Sequence, residues 1–348
     1  MILAIESSCD ESALALFSEK EGIIGEWIYS QLDLHKEYGG VVPSLASREH
    51  LKAFGPLLEK TLKNIKEKNI EKIAVTYGPG LAGCLAMGLS LGKALALSLN
   101  IPLYGINHLR GHVYSPFINL HQKSPEEFKQ NFQKLLPHLG LLISGGNTLL
   151  FEINKKHEIK ILAQTVDDAA GEALDKGAKL LGMPYPGGAI IEKVAFRGDK
   201  NAIKFPQSFP DADDMQFSFS GLKTSLRYYL EKINDAEFQK ELPNICASYQ
   251  EAVIQALMRK LSQGFEKSFY SSIGLSGGVS NNKYLRTLFT QFAQEKGIPS
   301  YIAEPKHTGD NAGMIAFAAY ADPENAILDS HYKLSFNPSV TLVNLKTD

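Results

Sequence analysis

The chain has 348 residues, of which 44% are hydrophobic and 21% charged, which is typical of a soluble globular protein with two domains or one large one. The formal net charge of −2 gives no overall basic excess of the kind that accompanies nucleic-acid binding, although a local basic patch is compatible with it. Three cysteines without paired spacing exclude a disulfide framework and favour a cytoplasmic protein.

The first predicted elements are two short apolar strands, at residues 2–5 and 13–17, joined by a polar turn. The turn carries Asp10 and Glu11 together with several hydroxyl groups. Such a tip can hold a metal–phosphate group through water, with backbone N–H groups directed at the phosphate. A solvated hairpin turn is the alternative, because polar turns are common on protein surfaces.

A lysine-rich amphipathic helix is predicted at residues 51–72, and its lysines include Lys60, Lys63 and Lys66. A row of lysines on a helix is most often a solvated face. The same row also suits contact with the phosphate backbone of a nucleic acid. The sequence leaves both interpretations open.

A glycine-rich turn, YGPGLAG, follows a predicted strand at residues 72–76 and leads into an apolar helix that ends at Leu99. The turn matches the dinucleotide pattern G-x-G-x-x-G, but the acidic residue that such a site requires about twenty positions later is missing. We expect tight strand–helix packing here, with some phosphate or substrate contact. The helix contains Lys93 and many small residues, so we expect it to be buried and not to span a membrane.

Two histidines, His108 and His112, stand four residues apart after a predicted buried strand at residues 103–106. On a helix this spacing puts both imidazoles on one face, about a turn apart, and so makes half of a divalent-metal site. Asp310, which precedes the last predicted helix, is the candidate third ligand. Two ordinary histidines, one of them capping the helix, are the alternative, because such pairs are common.

The second half of the chain begins as the first does. Residues 116–137 are polar and are predicted to form a surface helix and a linker near a domain boundary. Predicted strands at 139–143 and 149–153 then flank a Ser-Gly-Gly turn whose backbone N–H groups can face a phosphate. Two such hairpins, each opening one half of the chain, indicate a duplicated architecture.

Four further features are predicted in the second half, and two of them have both a structural and a functional interpretation. A predicted helix at 166–181 carries Asp168, Glu172 and Asp175 on one face, either to meet a ligand or as an exposed acidic surface. The segment FSFSGLKT is predicted to be a packed corner, and residues 247–269 a long amphipathic helix. Asn282 follows another Gly-Gly turn, where it can bind a ribose or base or cap the next helix.

These motifs together resemble the tRNA N6-adenosine threonylcarbamoyltransferase family, called TsaD in bacteria. The matching segments run in order to about residue 320 and are IESSCDES, HKEYGGVVPSLASREH, YGPGLAG, NHLRGH, SGGNT, DDAAGEALDK, PYPGG, FSFSGLKT, SGGVSNN and HTGDNAGMIA. The resemblance implies an α/β fold of the actin-like ATPase type, with two similar lobes around a central cleft. We expect an N-terminal lobe at 1–125, a C-terminal lobe at 126–325 whose last helix returns toward the first lobe, and a tail at 326–348.

The resemblance also implies roles for particular residues. His108, His112 and Asp310 correspond to ligands of one divalent metal, with Fe²⁺ as the first choice and Zn²⁺ or Mg²⁺ as alternatives. Asp10 and Glu11 correspond to a catalytic pair facing the phosphate and the metal. The positions that hold the adenylate substrate correspond to Leu142, Ile143, Ser144, Gly145, Gly146, Asp175, Gly188 and Asn282.

The implied reaction moves a threonylcarbamoyl group from threonylcarbamoyl-AMP to N6 of adenosine 37 in tRNAs that read codons beginning with A, and releases AMP. The implied partners are tRNA and companion proteins of the TsaB and TsaE kinds. A small-molecule kinase of the same superfamily and a non-catalytic scaffold are the alternatives. Two positions depart from the usual motifs, since Asn147 stands where a histidine is usual and Arg110 where an acidic residue is common.

Overall fold

The computed structural model describes residues 1–64, 69–211 and 213–343, and the described chain divides into two compact units. Unit 1 combines Met1–Gln133 with the chain from Ala303 onward, and unit 2 is Lys134–Ile302. Unit 1 is therefore discontinuous in sequence. This division differs from the predicted one, which ended the first lobe at residue 125 and assigned residues 303–325 to the second.

The two units contain alternating strands and helices along the chain. The strands among the described residues are β1 (Ile2–Glu6), β2 (Glu11–Ser18), β3 (Gly22–Ser30), β4 (Lys72–Gly78), β5 (Leu103–Asn107), β6 (His138–Ile143), β7 (Thr148–Ile153), β8 (Ile159–Thr165), β9 (Gln216–Phe217), β10 (Ser272–Ser276), β11 (Ser300–Ile302) and β12 (Ile327–Asp329). The helices are α1 (Leu32–Lys36), α2 (Pro43–Lys63), α3 (Ala82–Leu99), α4 (His108–Tyr114), α5 (Ile118–Lys123), α6 (Phe128–Lys134), α7 (Ala170–Leu180), α8 (Gly187–Ala195), α9 (Ser220–Leu230), α10 (Asp235–Glu266), α11 (Lys283–Lys296) and α12 (Ala312–Ala321).

The described residues form two six-stranded sheets, one in each unit, with the orders β12-β5-β4-β1-β2-β3 and β11-β10-β6-β7-β8-β9. In unit 1, β1, β4 and β5 are parallel, while β2 and β3 add to β1 as an antiparallel meander. In unit 2, β6, β10 and β11 are parallel, and β7 and β8 form the corresponding meander. The predicted duplication and the predicted α/β class are therefore confirmed.

The strand β1 explains why the first sheet forms where it does. Its residues are all buried, because β1 is a central strand of the sheet and both α3 and α12 pack on it. The hairpin predicted from this run is confirmed, with Ile2 of β1 opposite Phe17 of β2. The third strand of the meander, β3, escaped prediction, since it carries Glu26 and Gly25 and is exposed at one end.

The apolar helix α3 packs against this sheet along one face. Its buried residues include Gly88 and Gly92, whose missing side chains let the helix approach Ser7 and Val75. Leu97 is 65% exposed, so the helix that was predicted to be buried is buried along one face only. Among the described residues, α3 is the one helix that length and apolar composition would allow to cross a membrane, and core helices of soluble proteins meet the same criterion.

Residues 116–137 are largely helical, as predicted, but the expectation that they form only a surface helix and linker is wrong. The structure places α5 and α6 there, and Phe128 and Phe132 are both 2% exposed. Their rings stack on each other, and Phe128 also contacts His121 and Phe317. The polar residues of this segment lie on its exposed face. A count of composition does not separate the two faces of a helix, so it did not reveal the buried apolar face.

The long helix α10 begins twelve residues before its predicted start at 247. Asn234 caps it by accepting hydrogen bonds from the N–H groups of Ala236 and Glu237, and the Glu237 side chain accepts from the Asn234 N–H in return. This capping box fixes the start, and the helix continues through Pro243. The buried residues of the helix form much of the core of unit 2.

Candidate functional site

The two histidines lie where the buried strand β5 passes into the helix α4. The Asn107 side chain caps α4 by accepting a hydrogen bond from the Leu109 N–H at 2.9 Å, and this starts the helix at His108. His108 and His112 are both buried, and their ring centroids lie 4.8 Å apart. The predicted one-face arrangement of the pair is therefore present.

Asp310 joins the pair from the turn before α12. The Asn311 side chain caps α12 by accepting from the Met314 N–H at 2.8 Å, which sets Asp310 just outside the helix. Its Oδ1 lies 3.4 Å from Nε2 of His108 and 3.3 Å from Nε2 of His112. One ligand atom from each of these three residues lies within 4.8 Å of the others, an arrangement that can hold one metal ion.

Close packing of α4 on α12 makes this convergence possible. A side chain at Gly111 would come within 3.0 Å of both Met314 and Ile315, so glycine is needed for the two helices to approach. All three candidate ligands belong to unit 1, because α12 returns to the sheet that carries the histidines. A metal held by these three residues would therefore take all of its protein ligands from one unit.

His112 fits a metal ligand better than a structural histidine. It is fully buried, and among the described residues neither ring nitrogen makes a hydrogen bond of good geometry, since Nε2 meets only the Asp310 carboxylate, at 3.3 Å, and Nδ1 has no hydrogen-bond partner. A buried imidazole that is left without a hydrogen bond costs free energy, which a coordinated cation would remove. The set of two imidazoles and one carboxylate also matches the ligand chemistry of iron and zinc.

A further carboxylate, Glu6, escaped sequence analysis. It ends β1, is fully buried, and its Oε2 lies 3.0 Å from Nδ1 of His108. The Thr76 hydroxyl donates to the same oxygen at 2.5 Å, and the Ser8 N–H donates to Oε1 at 2.5 Å. An acidic residue closing an otherwise apolar buried strand is the sequence signal that could have revealed it.

Charge and burial act in opposite directions on this cluster. Burial alone would lower the pKa of His108, but the Asp310 and Glu6 carboxylates raise it well above its usual value. Burial alone would raise the pKa of Asp310, but the neighbouring His108 holds it far below its usual range. Burial lowers the pKa of His112, and this keeps the imidazole in the neutral form that binds metals.

The predicted catalytic pair lies on the turn between β1 and β2. Burial, followed by the charge of Asp310, raises the pKa of Asp10 and raises that of Glu11 to about 7. Glu11 lies beside the turn of Asp310, since a side chain built on Gly309 would be 3.6 Å from its Oε2. His50 of α2 contacts the same turn through both ring nitrogens. Its Nδ1 lies 2.7 Å from the Ser12 hydroxyl oxygen, and its Nε2 lies 2.9 Å from the Cys9 carbonyl oxygen.

The residues predicted to hold an adenylate lie in unit 2. Ser144 follows β6, and Gly145 and Gly146 are exposed, with nothing within 4 Å of the position a side chain would take. Two hydrogen bonds between Ser144 and Asn147 close the turn. They use only backbone atoms of Asn147, so they do not depend on the histidine that is usual at this position. Leu142 and Ile143 are buried strand residues and support the turn from beneath.

The predicted acidic face of one helix does not form. Asp168 precedes α7, and Lys176 pairs with it and with Glu172. Asp175 is directed at the start of α8, where its Oδ1 accepts the N–H groups of Gly187 and Gly188 at 2.8 and 3.0 Å. Asp175 therefore fixes the start of α8, where Gly188 lies.

Asn282 caps α11, which was one of its two predicted roles. Its Oδ1 accepts from the Leu285 N–H at 3.0 Å, and its Nδ2 donates to Gln250 at 2.8 Å. Gln250 lines a cavity of about 690 Å³ bounded by α8, α10 and α11, together with Ala189 and Tyr284. The volume lies within the usual range for small-molecule pockets.

Three other predicted features have structural explanations. Arg110 faces away from the histidines and forms a hydrogen-bonded ion pair with Asp322 at the end of α12. Lys60 and Lys63 are exposed at the end of α2, where Lys63 pairs with Glu59, and Lys66 lies outside the described residues. The FSFSGLKT corner is packed as predicted, with Phe217 and Phe219 buried.

Comparison with known proteins connects this geometry to a family. A family model described as TsaD, tRNA N6-adenosine threonylcarbamoyltransferase, matches residues 22–317. A protein of that name from an Anaeromyxobacter species is 42% identical over 320 residues, which are 91% of this chain and 92% of the relative. Another from Thermosipho africanus is 40% identical over 323 residues, or 92% and 93% of the two chains.

Solved structures of more distant proteins share the fold. HypF from T. kodakarensis aligns with a TM-score of 0.58 at 15% identity, over 92% of this chain and 47% of HypF. Component A of the Acidaminococcus fermentans (R)-2-hydroxyglutaryl-CoA dehydratase aligns with a TM-score of 0.50 at 13% identity, over 92% and 96%. At such identities the likeness establishes the fold alone, and it agrees with the predicted α/β fold.

Proposed function

Because the chain belongs to the tRNA N6-adenosine threonylcarbamoyltransferase family, we propose that it transfers a threonylcarbamoyl group from threonylcarbamoyl-AMP to N6 of adenosine 37 in tRNAs that read codons beginning with A. The N6 amine attacks the carbamoyl carbon, the new C–N bond forms, and the bond from that carbon to the phosphate oxygen breaks. AMP leaves with the bonding electrons, and the amine gives up a proton. The convergence of His108, His112 and Asp310 carries this proposal.

In this proposal the three residues hold one divalent metal, Fe²⁺ as the first choice and Zn²⁺ or Mg²⁺ as alternatives. Nε2 of each histidine and a carboxylate oxygen of Asp310 are the ligand atoms. A bound metal supplies positive charge that neutralises the leaving phosphate or polarises the carbamoyl carbonyl. Three protein ligands leave coordination positions for substrate, as in catalytic rather than structural sites.

Glu11 is the proposed acceptor of the N6 proton, and Asp10 assists it. A general base works best when its pKa lies near the working pH, and burial raises the pKa of Glu11 to about 7. A cation at Asp310 would offset the part of this shift that comes from the Asp310 charge, while the part that comes from burial would remain. The Glu11 carboxylate would then take the proton as the C–N bond forms.

The adenylate is proposed to bind in unit 2. Exposed Gly145 and Gly146 let the backbone of the Ser144 turn approach a phosphate and donate N–H groups to it. The cavity of about 690 Å³ beside α8 is large enough for the adenosine. Asp175 and Asn282 would act by holding the start of α8 and of α11, since their hydrogen bonds are made to those helices.

The tRNA is proposed to contact exposed lysines such as Lys60 and Lys63, with TsaB-like and TsaE-like companion proteins supplying the rest of the binding surface in the cytoplasm. Phosphate contacts release counterions, so tRNA affinity should fall as salt is raised. A salt-independent affinity would contradict direct contact with the tRNA backbone. Binding unchanged by Lys60→Glu and Lys63→Glu would remove this end of α2 from the proposal.

The test of the whole proposal combines metal analysis with a single-turnover transfer assay on tRNA. His112→Ala and Asp310→Ala should each lower both metal content and transfer, because each removes a ligand. The control is His331→Ala, which removes an exposed histidine of unit 1 and should change neither. Full metal content and normal transfer in a His108→Ala, His112→Ala double variant would overturn the proposal.

A further inference from the structure

Glu6 joins the histidine site to the turn that carries Asp10 and Glu11. One of its oxygens, Oε2, approaches Nδ1 of His108 at 3.0 Å, and the other, Oε1, accepts the Ser8 N–H at 2.5 Å. The Ser8 hydroxyl also lies 3.1 Å from Nδ1 of His108. One buried carboxylate therefore touches both the candidate metal ligand and the first residues of the turn.

The donors around Glu6 determine which atom of the His108 ring carries a proton. A backbone N–H can only donate, and the Thr76 hydroxyl donates to Oε2, so both carboxylate oxygens act as acceptors. Nδ1 of His108 must then carry the hydrogen that it shares with Oε2. In the neutral form of the ring, which is the form that binds a metal, Nε2 then has the lone pair, and it faces His112 and Asp310.

We propose that Glu6 is a positioning residue that fixes His108 with Nδ1 as donor and Nε2 directed at the metal. Through the Ser8 N–H, Glu6 also fixes the start of the turn that carries Asp10 and Glu11 relative to His108. Residues that orient a ligating histidine in this way typically change metal affinity by tenfold to a hundredfold. This inference rests on the proposed function in one respect, which is that Nε2 of His108 binds a metal.

A purely structural role for Glu6 is the competing explanation. A buried carboxylate is retained in a core only if it is well paired, and Glu6 meets this condition through Thr76 and Ser8 alone. A structural role predicts a loss of stability without a specific loss of metal affinity. Metal affinity measured on folded protein therefore separates the two explanations.

The main test is Glu6→Gln in the full chain, with Zn²⁺ affinity measured by competition against a chelator. The amide oxygen can still accept the Ser8 N–H, but the amide nitrogen would donate to Nδ1 of His108 and force the proton onto Nε2. We expect Zn²⁺ binding to weaken by about tenfold to a hundredfold. The matched control is Glu49→Gln, another buried carboxylate of unit 1, which pairs with Lys52 and Tyr29 and should leave Zn²⁺ affinity unchanged.

A second measurement follows the His108 ring itself. In the Zn²⁺ complex of histidine-labelled protein, NMR should show a hydrogen on Nδ1 of His108 that is protected from exchange, and Glu6→Gln should abolish that protection. If Glu6→Gln does not fold, Thr76→Val replaces it. That variant keeps the carboxylate but removes one of its anchoring donors, and it should weaken Zn²⁺ binding by about threefold to tenfold, less than the loss typical for a direct partner of the ligand.

The outcomes separate this inference from the proposed function. If the wild-type chain does not bind Zn²⁺ or Fe²⁺, the metal site of the proposed function fails and this inference fails with it. If the wild type binds and folded Glu6→Gln binds equally well with the Nδ1 hydrogen still protected, the positioning role alone is overturned. Weaker binding in Glu6→Gln with unchanged binding in Glu49→Gln supports it.

Discussion

At the scale of single residues, the protein uses buried carboxylates in two distinct ways. Hydrogen-bond donors and His108 surround Glu6. Burial alone would raise the pKa of Glu6, but His108 holds it below its usual value. Glu26 on β3 has one close donor, the Gly313 N–H at 2.6 Å, and burial raises its pKa to about 7. The charge of a neighbouring imidazole, together with hydrogen-bond donors, thus holds Glu6 charged, whereas burial outweighs the single donor at Glu26.

The raised pKa of Glu26 predicts a measurable pH dependence of stability. Between pH 4.5, its unperturbed value, and pH 7, the folded state holds a proton that the unfolded state has lost, so the free energy of unfolding falls as pH rises. Glu26→Gln removes this dependence. The difference in unfolding free energy, wild type minus Glu26→Gln, should decrease by about 1–3 kcal/mol from pH 4.5 to 8. A difference that stays constant over this range in urea titrations would contradict the assignment.

At the scale of secondary-structure elements, glycines set how closely helices pack on the sheets. A side chain built on Gly88 of α3 would lie 2.2 Å from the Ser7 hydroxyl oxygen, which itself donates to the Cys84 carbonyl at 2.9 Å. Gly221 of α9 has nothing within 4 Å of the corresponding position. The same substitution is therefore expected to have opposite effects at the two sites.

Gly88→Ala should destabilise the protein by about 1–3 kcal/mol, because α3 must move away from β1 or break the Ser7 hydrogen bond. Gly221→Ala should stabilise it by about 0.5–1 kcal/mol, because alanine loses less conformational entropy in a helix. Urea unfolding of the two variants measures both effects. Destabilisation of similar size at both positions would show that helix packing is not what distinguishes them.

At the scale of the whole molecule, the returning C-terminal segment completes unit 1. The residues of α12 from Ala312 to Ala319 are all buried, and the helix packs on α4 and on β1. The segment after it also pairs with the unit, since the Asn337 N–H donates to the Tyr77 carbonyl oxygen at 2.7 Å. Unit 2, in contrast, is one continuous stretch of chain with its own core.

A chain that ends at Ile302 should therefore lose the structure of unit 1 but keep that of unit 2. Hydrogen exchange is expected to show strong protection for amides of β6, β7 and β10, and little for those of β1, β2 and β5. A fragment of residues 134–302 should unfold cooperatively by itself. Protection of β1 and β5 in the truncated chain would mean that α12 is dispensable for folding.

The sequence by itself determined the features that depend on neighbours along the chain. Apolar runs bounded by Ser, Gly and acidic residues located β1, β2, β6 and β7, because strand pattern and turn chemistry are local properties. The spacing of His108 and His112 fixed their common face, because four residues make about one helical turn. Asp310 was a candidate ligand from its place before the last predicted helix, whereas the adenylate positions were obtained through family resemblance, and the roles of all these residues remain predictions.

Only the tertiary structure decided which distant groups meet. Glu6 and His108 are 102 residues apart and touch because β1 and β5 flank β4 in one sheet. The buried face of α6, the pairing of Arg110 with Asp322 and the return of α12 to unit 1 likewise depend on contacts across the fold. The hydrophobic effect is non-directional and favours the burial of any apolar surface. A local sequence pattern therefore predicts which face of an element is buried, but not which element packs against it.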